Sequence, residues 1–251
     1  MGLLELLFSD PLRFLDYSLY RIPAVLVAMC CHEWGHAYVA YRCGDPTAKN
    51  AGRMTVNPLR HLDPVGALLM FLVGFGWAKP VPVDPRYFRN PRWDDLKVSV
   101  AGITVNLCIF LVCTLLGVWV NSLLWQEQVL ASYSVKELLN YTNGIVLYVL
   151  SGYGREFADF YAHPALLPVL RMLMQIGLVN LYIAIFNLIP VPPLDGYHVV
   201  NDLLLRGRWH ITHRQGQIGM GVVLLLSMTG VLGSGIAYVA DGLQSLILSM
   251  F

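Results

Sequence analysis

Charge is what this 251-residue sequence has least of: Asp, Glu, Lys and Arg make up 13% of it, against roughly 25% in a typical soluble domain. So few charges cannot cover a water-facing surface, which argues against a soluble fold. No run of Lys or Arg forms a polybasic arm, and the net charge is +1. Nucleic acid is therefore not an expected partner. Internal repeats and low-complexity tracts are also missing. Cysteines are few and lack paired metal spacing: Cys30, Cys31, Cys43, Cys108 and Cys113 fall in or at the ends of apolar segments. They read as small buried hydrophobes. Cys30 and Cys31 directly precede His32, but adjacent residues on a helix point about 100° apart, so a thiolate ligand there is not expected.

What the sequence has instead is apolar length. Hydrophobic residues make up 56% of the chain, concentrated in runs at 22–41, 98–124, 166–190 and 218–240. Each is close to the roughly 20 residues that a membrane span needs. The first run begins beyond residue 20 and carries His and Glu, so it reads as a span rather than a cleaved signal.

The expected fold is an all-α polytopic membrane protein: one integral domain over residues 1–251, with its core at about 22–205. It has about four main transmembrane helices, near 22–43, 97–123, 166–190 and 217–240. An N-terminal interfacial helix covers residues 1–20, where apolar residues alternate with Glu5, Asp10, Arg13 and Asp16. Residues 64–77 are apolar but short and Gly-rich, which suggests a re-entrant or membrane-embedded β segment. Residues 125–165 leave a hairpin, an interfacial helix and a loop all open.

In this topology the loops 42–63, 79–97 and 206–214 share one side and hold 12 of the 17 Lys and Arg residues. The positive-inside rule makes that side cytoplasmic. The expected location is therefore the cell membrane, with the chemistry described next nearer the cytoplasmic face.

That chemistry starts in the first span. Cys31-His32-Glu33-Trp34-Gly35-His36 contains H-E-x-x-H. Histidines four apart on a helix differ by about 40° and about 6 Å, so both rings reach one ion. Zinc accepts imidazole nitrogens, and a catalytic site keeps a position open for water. Glu33, beside the first ligand, suits a general base. Ionisable groups within a span are costly, and this spacing favours a metal site over a structural polar network.

A third ligand is required. Asp195 follows the proline-broken segment Asn187-Leu-Ile-Pro190-Val-Pro192-Pro193-Leu, where freed carbonyls demand a protein or water cavity. Spacing alone leaves it equally a ligand or the cap of a helix starting at Gly196. Asn106, inside the second span, should bond another helix near the site. His198 reads as a supporting or surface residue rather than a ligand. Asp63 before Pro64 reads as turn chemistry, in a loop shared with His61, while His163, His210 and His213 read as loop residues.

The pairing of H-E-x-x-H with N-x-x-P-x-x-x-x-D-G resembles the site-2 protease family of intramembrane metalloproteases. Residues 52–66 (GRMTVNPLRHLDPVG) and 78–86 (AKPVPVDPR) are similar to its compact bacterial and archaeal members, and the likeness runs from about 25 to 205. The resemblance implies one zinc per chain on His32, His36 and Asp195, with Glu33 as base. It also implies that Asn187 holds the substrate carbonyl or its oxyanion.

Its implied partners are the lipid bilayer and a transmembrane protein or peptide substrate; the strand-like residues 53–56 and 75–83 are expected to receive that substrate by edge pairing. A homo-oligomer is compatible with it. The implied activity is zinc metalloendopeptidase cleavage in or beside transmembrane segments, that is, regulated intramembrane proteolysis. No peptide-binding or nucleotide-sensing module is legible. Two departures stand out. Ala101-Gly102-Ile103 replaces a common Ala-Gly-Pro, which is expected to alter a helix start and not the chemistry. Tyr197 replaces a frequent Gly, which is expected to narrow the pocket. The rival reading is a membrane metal carrier or a silent metal-binding protein, against which Glu33 argues.

Overall fold

The computed structural model describes residues 3–66, 79–209 and 211–251. Its main helices are α1 (Leu3–Ser9), α2 (Pro11–Cys43), α3 (Pro91–Leu124), α4 (Leu167–Asn187), α5 (Asp195–Leu203), α6 (His213–Met228) and α7 (Val231–Leu248). Four helical segments are long and apolar enough to cross a membrane: Pro11–Cys43, Pro91–Leu124, Pro164–Asn187 and Val231–Leu248. Their outward faces carry large apolar side chains, including Leu15, Leu19, Val112, Leu115 and Trp119. Such surfaces suit lipid, where only helices or closed barrels satisfy every backbone group. The chain is thus a polytopic membrane protein, as its composition predicts, and its described residues are all-helical.

Three expectations change. Residues 1–20 are not one interfacial helix. A short α1 ends at Ser9 and α2 starts at Pro11, running 33 residues without a break through Pro23. At about 1.5 Å per residue this exceeds the roughly 30 Å hydrocarbon layer, so α2 includes the segment expected at the interface. The span expected at 217–240 is two helices, because Gly230 adopts a left-handed φ of +75° and ends α6. Finally, no strand occurs among the described residues. Residues 53–56 and 79–83 are irregular, and most of the expected embedded segment, 67–78, lies outside the described residues.

The chain forms two compact units. One comprises Met1–Val25, Cys108–Leu181 and Ala237–Phe251. Within it Arg171 pairs with Asp16, donating through Nη1 to Oδ1 at 2.9 Å and again to Oδ2. Residues 125–165, left open by the sequence, form short helices (Glu127–Ser132, Val135–Leu139, Ile145–Tyr148) and tight turns. Polar side chains stitch them to α7: Gln244 accepts from Tyr141 N at 2.7 Å and donates to Leu139 O at 3.0 Å.

The other unit comprises Leu26–Leu107 and Tyr182–Ile236. Ala40, Cys43, Phe88 and Val98 form a small core at the end of α2, joined by Val39 and Val83. This core ties the proline-rich residues 79–88 to α2 and α3. Asp45 adds a polar staple: its Oδ2 accepts from Asp84 N at 2.7 Å.

Candidate metal centre

One turn of α2 sets His32 and His36 side by side, with their Nε2 atoms 3.0 Å apart. Each ring is held from behind through Nδ1. His32 Nδ1 lies 2.8 Å from Asn106 Oδ1, while the Asn106 amide donates to Ala28 O at 3.3 Å. His36 Nδ1 lies 2.7 Å from the Val98 carbonyl. A carbonyl only accepts, so both Nδ1 atoms carry the hydrogen, which directs each Nε2 outward as the atom that can offer a lone pair to a metal.

Asp195 Oδ2 faces these two nitrogens, 3.2 Å from His32 Nε2 and 3.4 Å from His36 Nε2. That oxygen is buried and receives no hydrogen bond. Three electron-pair atoms converging in this way repel one another unless a cation or proton lies among them. Ligands of a tetrahedral ion with bonds of about 2.0–2.1 Å stand about 3.3–3.4 Å apart, close to the separations here. The donor set fits zinc. Among the described residues it is the sole group of three His, Cys, Asp or Glu side chains close enough to share an ion.

Local sequence explains how each part arrives. Asp195 is the first residue of α5, whose N-cap is Leu194, and no side chain caps that helix. The carboxylate therefore stands free of capping and faces the histidines. Gly196 lets the turn close, since a Cβ there would fall 2.3 Å from Leu188 O. Opposite, α3 passes so near the rings that a Cβ at Gly102 would lie 2.6 Å from both His32 Cε1 and His36 Nε2. Residues 101–103 are accordingly not a helix start but the interior of α3, and Gly102 is the surface on which the rings rest.

Glu33 projects from the same turn. Its Oε2 accepts the Val81 N–H at 2.8 Å. Neither Gly102 nor Val81 is marked by the sequence as part of the site. Asn187 does not join the group in this conformation; its amide donates to Ile183 O at 3.0 Å in its own helix. Tyr197 is buried, with its hydroxyl on Trp209 O at 2.8 Å. Asp63 acts as turn chemistry predicts, accepting from Val65 and Gly66 N–H groups. His61 instead is buried against Thr55 O at 2.6 Å. His210 lies outside the described residues.

A second polar group sits three residues beyond Asp195. His198 Nδ1 lies 2.9 Å from Asp95 Oδ2, and this carboxylate raises the His198 pKa. Asp202, buried beside Asp95, is pushed up to about 6 by burial and by that neighbouring carboxylate. Both residues line a cavity of about 430 Å³ with Arg92, Tyr197 and Trp209.

Comparison with known proteins places this geometry in a family. The model of peptidase family M50 matches residues 20–229. YwhC of Bacillus subtilis, assigned by name to the zinc metalloproteases, is 35% identical over 86% of this chain and 85% of its own. Rip2 of Mycolicibacterium smegmatis, named in the same way, is 24% identical over 92% of this chain and 76% of its own. Rip2 of Mycobacterium tuberculosis is 32% identical over 40% of each chain. No solved structure gives a significant match. The match spans the H-E-x-x-H turn, α3 and the Asp195 turn alike, and the chain belongs to peptidase family M50, the family of the site-2 proteases.

Proposed function

We propose that this peptidase is a zinc enzyme that hydrolyses peptide bonds within or next to transmembrane segments of membrane proteins. One observation carries the reading: two imidazole nitrogens and an unbonded carboxylate oxygen converge within 3.4 Å, beside Glu33, in the second half of an apolar helix. His32, His36 and Asp195 would hold one zinc per chain. When bound, zinc supplies Lewis acidity, polarising a peptide carbonyl and acidifying water.

The remaining work belongs to the chain. Asn106 and the Val98 carbonyl fix the ring tautomers and orientations. Glu33, anchored through one oxygen, takes a proton from the attacking water and returns it to the departing amine. Asn187 would serve the substrate carbonyl by releasing Ile183 O, giving an amide donor of the kind that stabilises an oxyanion. A substrate helix hides its carbonyls in its own hydrogen bonds, so it must unwind locally before the scissile bond reaches Glu33. The concentration of 12 of the 17 basic residues in loops 42–63, 79–97 and 206–214 supports a site nearer the cytoplasmic face.

The test is Glu33→Gln. We expect zinc to stay bound, while proteomics of membrane fragments from cells with wild-type and variant enzyme shows specific cleavages lost. Undiminished cleavage by the variant refutes the assignment. Zinc flux into proteoliposomes, measured alongside, would reveal a carrier instead.

A further inference from the structure

Arg53 is buried, with 8% of its surface exposed, yet it pairs with no acid among the described residues. Its Nη2 donates to Lys79 O at 2.5 Å and to Pro80 O at 3.3 Å. A buried guanidinium that faces only backbone carbonyls is costly, so what those carbonyls belong to matters. The Pro80 carbonyl and the Val81 N–H are two ends of one planar peptide group. That N–H is the donor held on Glu33 Oε2 at 2.8 Å.

Within residues 79–82 no other backbone N–H can take the place of Val81's. Pro80 and Pro82 flank Val81 and carry no N–H, and the Lys79 N–H is committed to His61 O at 2.8 Å. His61 is fixed in turn against Thr55 O. Residues 53–61 thus form a frame on which residues 79–81 are hung, and Arg53 grips the peptide that touches Glu33. A cation on the carbonyl end also polarises the peptide, strengthening the N–H as a donor at the other end.

We propose that Arg53 is a positioning residue for Glu33, acting through the Pro80–Val81 peptide to fix the carboxylate by one oxygen. Among the described residues no donor is held on the other oxygen, Oε1, which is left to handle the proton. The inference rests on the reading of Glu33 as the general base.

The experiment uses the full-length, zinc-loaded protein in nanodiscs and a tagged single-span membrane protein that the wild type cuts and Glu33→Gln does not. Arg53→Met should lower kcat about 10–100-fold, the usual effect of losing such a supporting contact, with KM and zinc content unchanged. Arg53→Lys, which keeps a donor, should recover part of the loss. Val81→Pro removes the N–H and should fall similarly. The double variant Arg53→Met/Val81→Pro should be no worse than the lower single variant, because both break one chain of contacts. Multiplicative losses in the double variant, or zinc loss in Arg53→Met, would overturn the proposal.

Hydrogen exchange provides an arm independent of activity. Arg53→Met should speed exchange of the Val81 amide, and unchanged exchange also overturns the proposal. Should the wild type cut no membrane protein, the function proposed above fails, while the exchange arm still decides whether Arg53 holds Val81.

Discussion

Replacing Gly102 by Ala places one methyl group where the structure has no room for it. The added Cβ would lie 2.6 Å from His32 Cε1 and 2.6 Å from His36 Nε2. Carbon contacts settle at about 3.5–4.0 Å, so rings or helix must part by about 1 Å. Metal–ligand distances tolerate only about 0.2 Å, and both rings are already fixed from behind by Asn106 and Val98. Overpacking of this kind costs about 1–3 kcal/mol. At about 1.4 kcal/mol per decade, that corresponds to roughly 5–150-fold in zinc affinity if the strain falls on the bound state. The assay is competition of the purified protein with a chelator of known affinity, with metal content read directly. Gly221→Ala serves as the control, since a Cβ there meets nothing within 4 Å; it should leave affinity unchanged. A Gly102→Ala protein that binds zinc as tightly as the wild type would refute the placement of α3 against the rings.

Other consequences follow from the same geometry. Asp195→Asn keeps the shape but replaces the anionic oxygen, so metal content after gel filtration should drop sharply while helicity by circular dichroism is retained. Asn106→Ala should weaken zinc about 10–100-fold by freeing the His32 ring, measured by the same competition. Asp202 makes stability depend on pH. Its folded pKa of about 6 lies above its ordinary value of 3.8, so between those values the folded chain holds a proton that the unfolded chain has lost. Stability contributed by this group is therefore present at low pH and lost as pH rises through about 6. His198, also raised, acts in the same direction from about 6.5 upward. Thermal melts of the protein in detergent should show Tm falling from pH 4 to 6, and Asp202→Asn should flatten that fall. An unchanged slope in the variant would show that Asp202 is not the group responsible.

How much of this was legible depends on how local the information is. His32, Glu33 and His36 share one helical turn, so spacing alone places two nitrogens together. Asp195 lies far along the chain, but the proline cluster before it announces a break in the apolar run, and an acid after a break is conspicuous. The C-terminal ends of α2, α3 and α4 could be read to within a few residues because hydropathy falls away there. Gly102 was not legible: within an apolar helix a glycine is unremarkable until one knows which side chains cross it. Arg53 and Val81 act across 26 and 48 residues of sequence respectively, a separation no periodicity can encode. The end of α6 escaped for a different reason, since a single left-handed glycine, Gly230, leaves the hydropathy profile intact.

The prolines on either side of Val81 carry a final consequence, one of register. An ordinary extended segment that slid by one residue, with the half-turn that brings the next N–H to the same side, could restore its hydrogen bond. Here a slide in either direction brings a proline nitrogen, without hydrogen, against Glu33. The segment has one productive alignment with the carboxylate and two adjacent silent ones. A change that shifts residues 80–82 by one position against Glu33 would therefore cost the base its anchoring donor, with neither neighbour able to stand in.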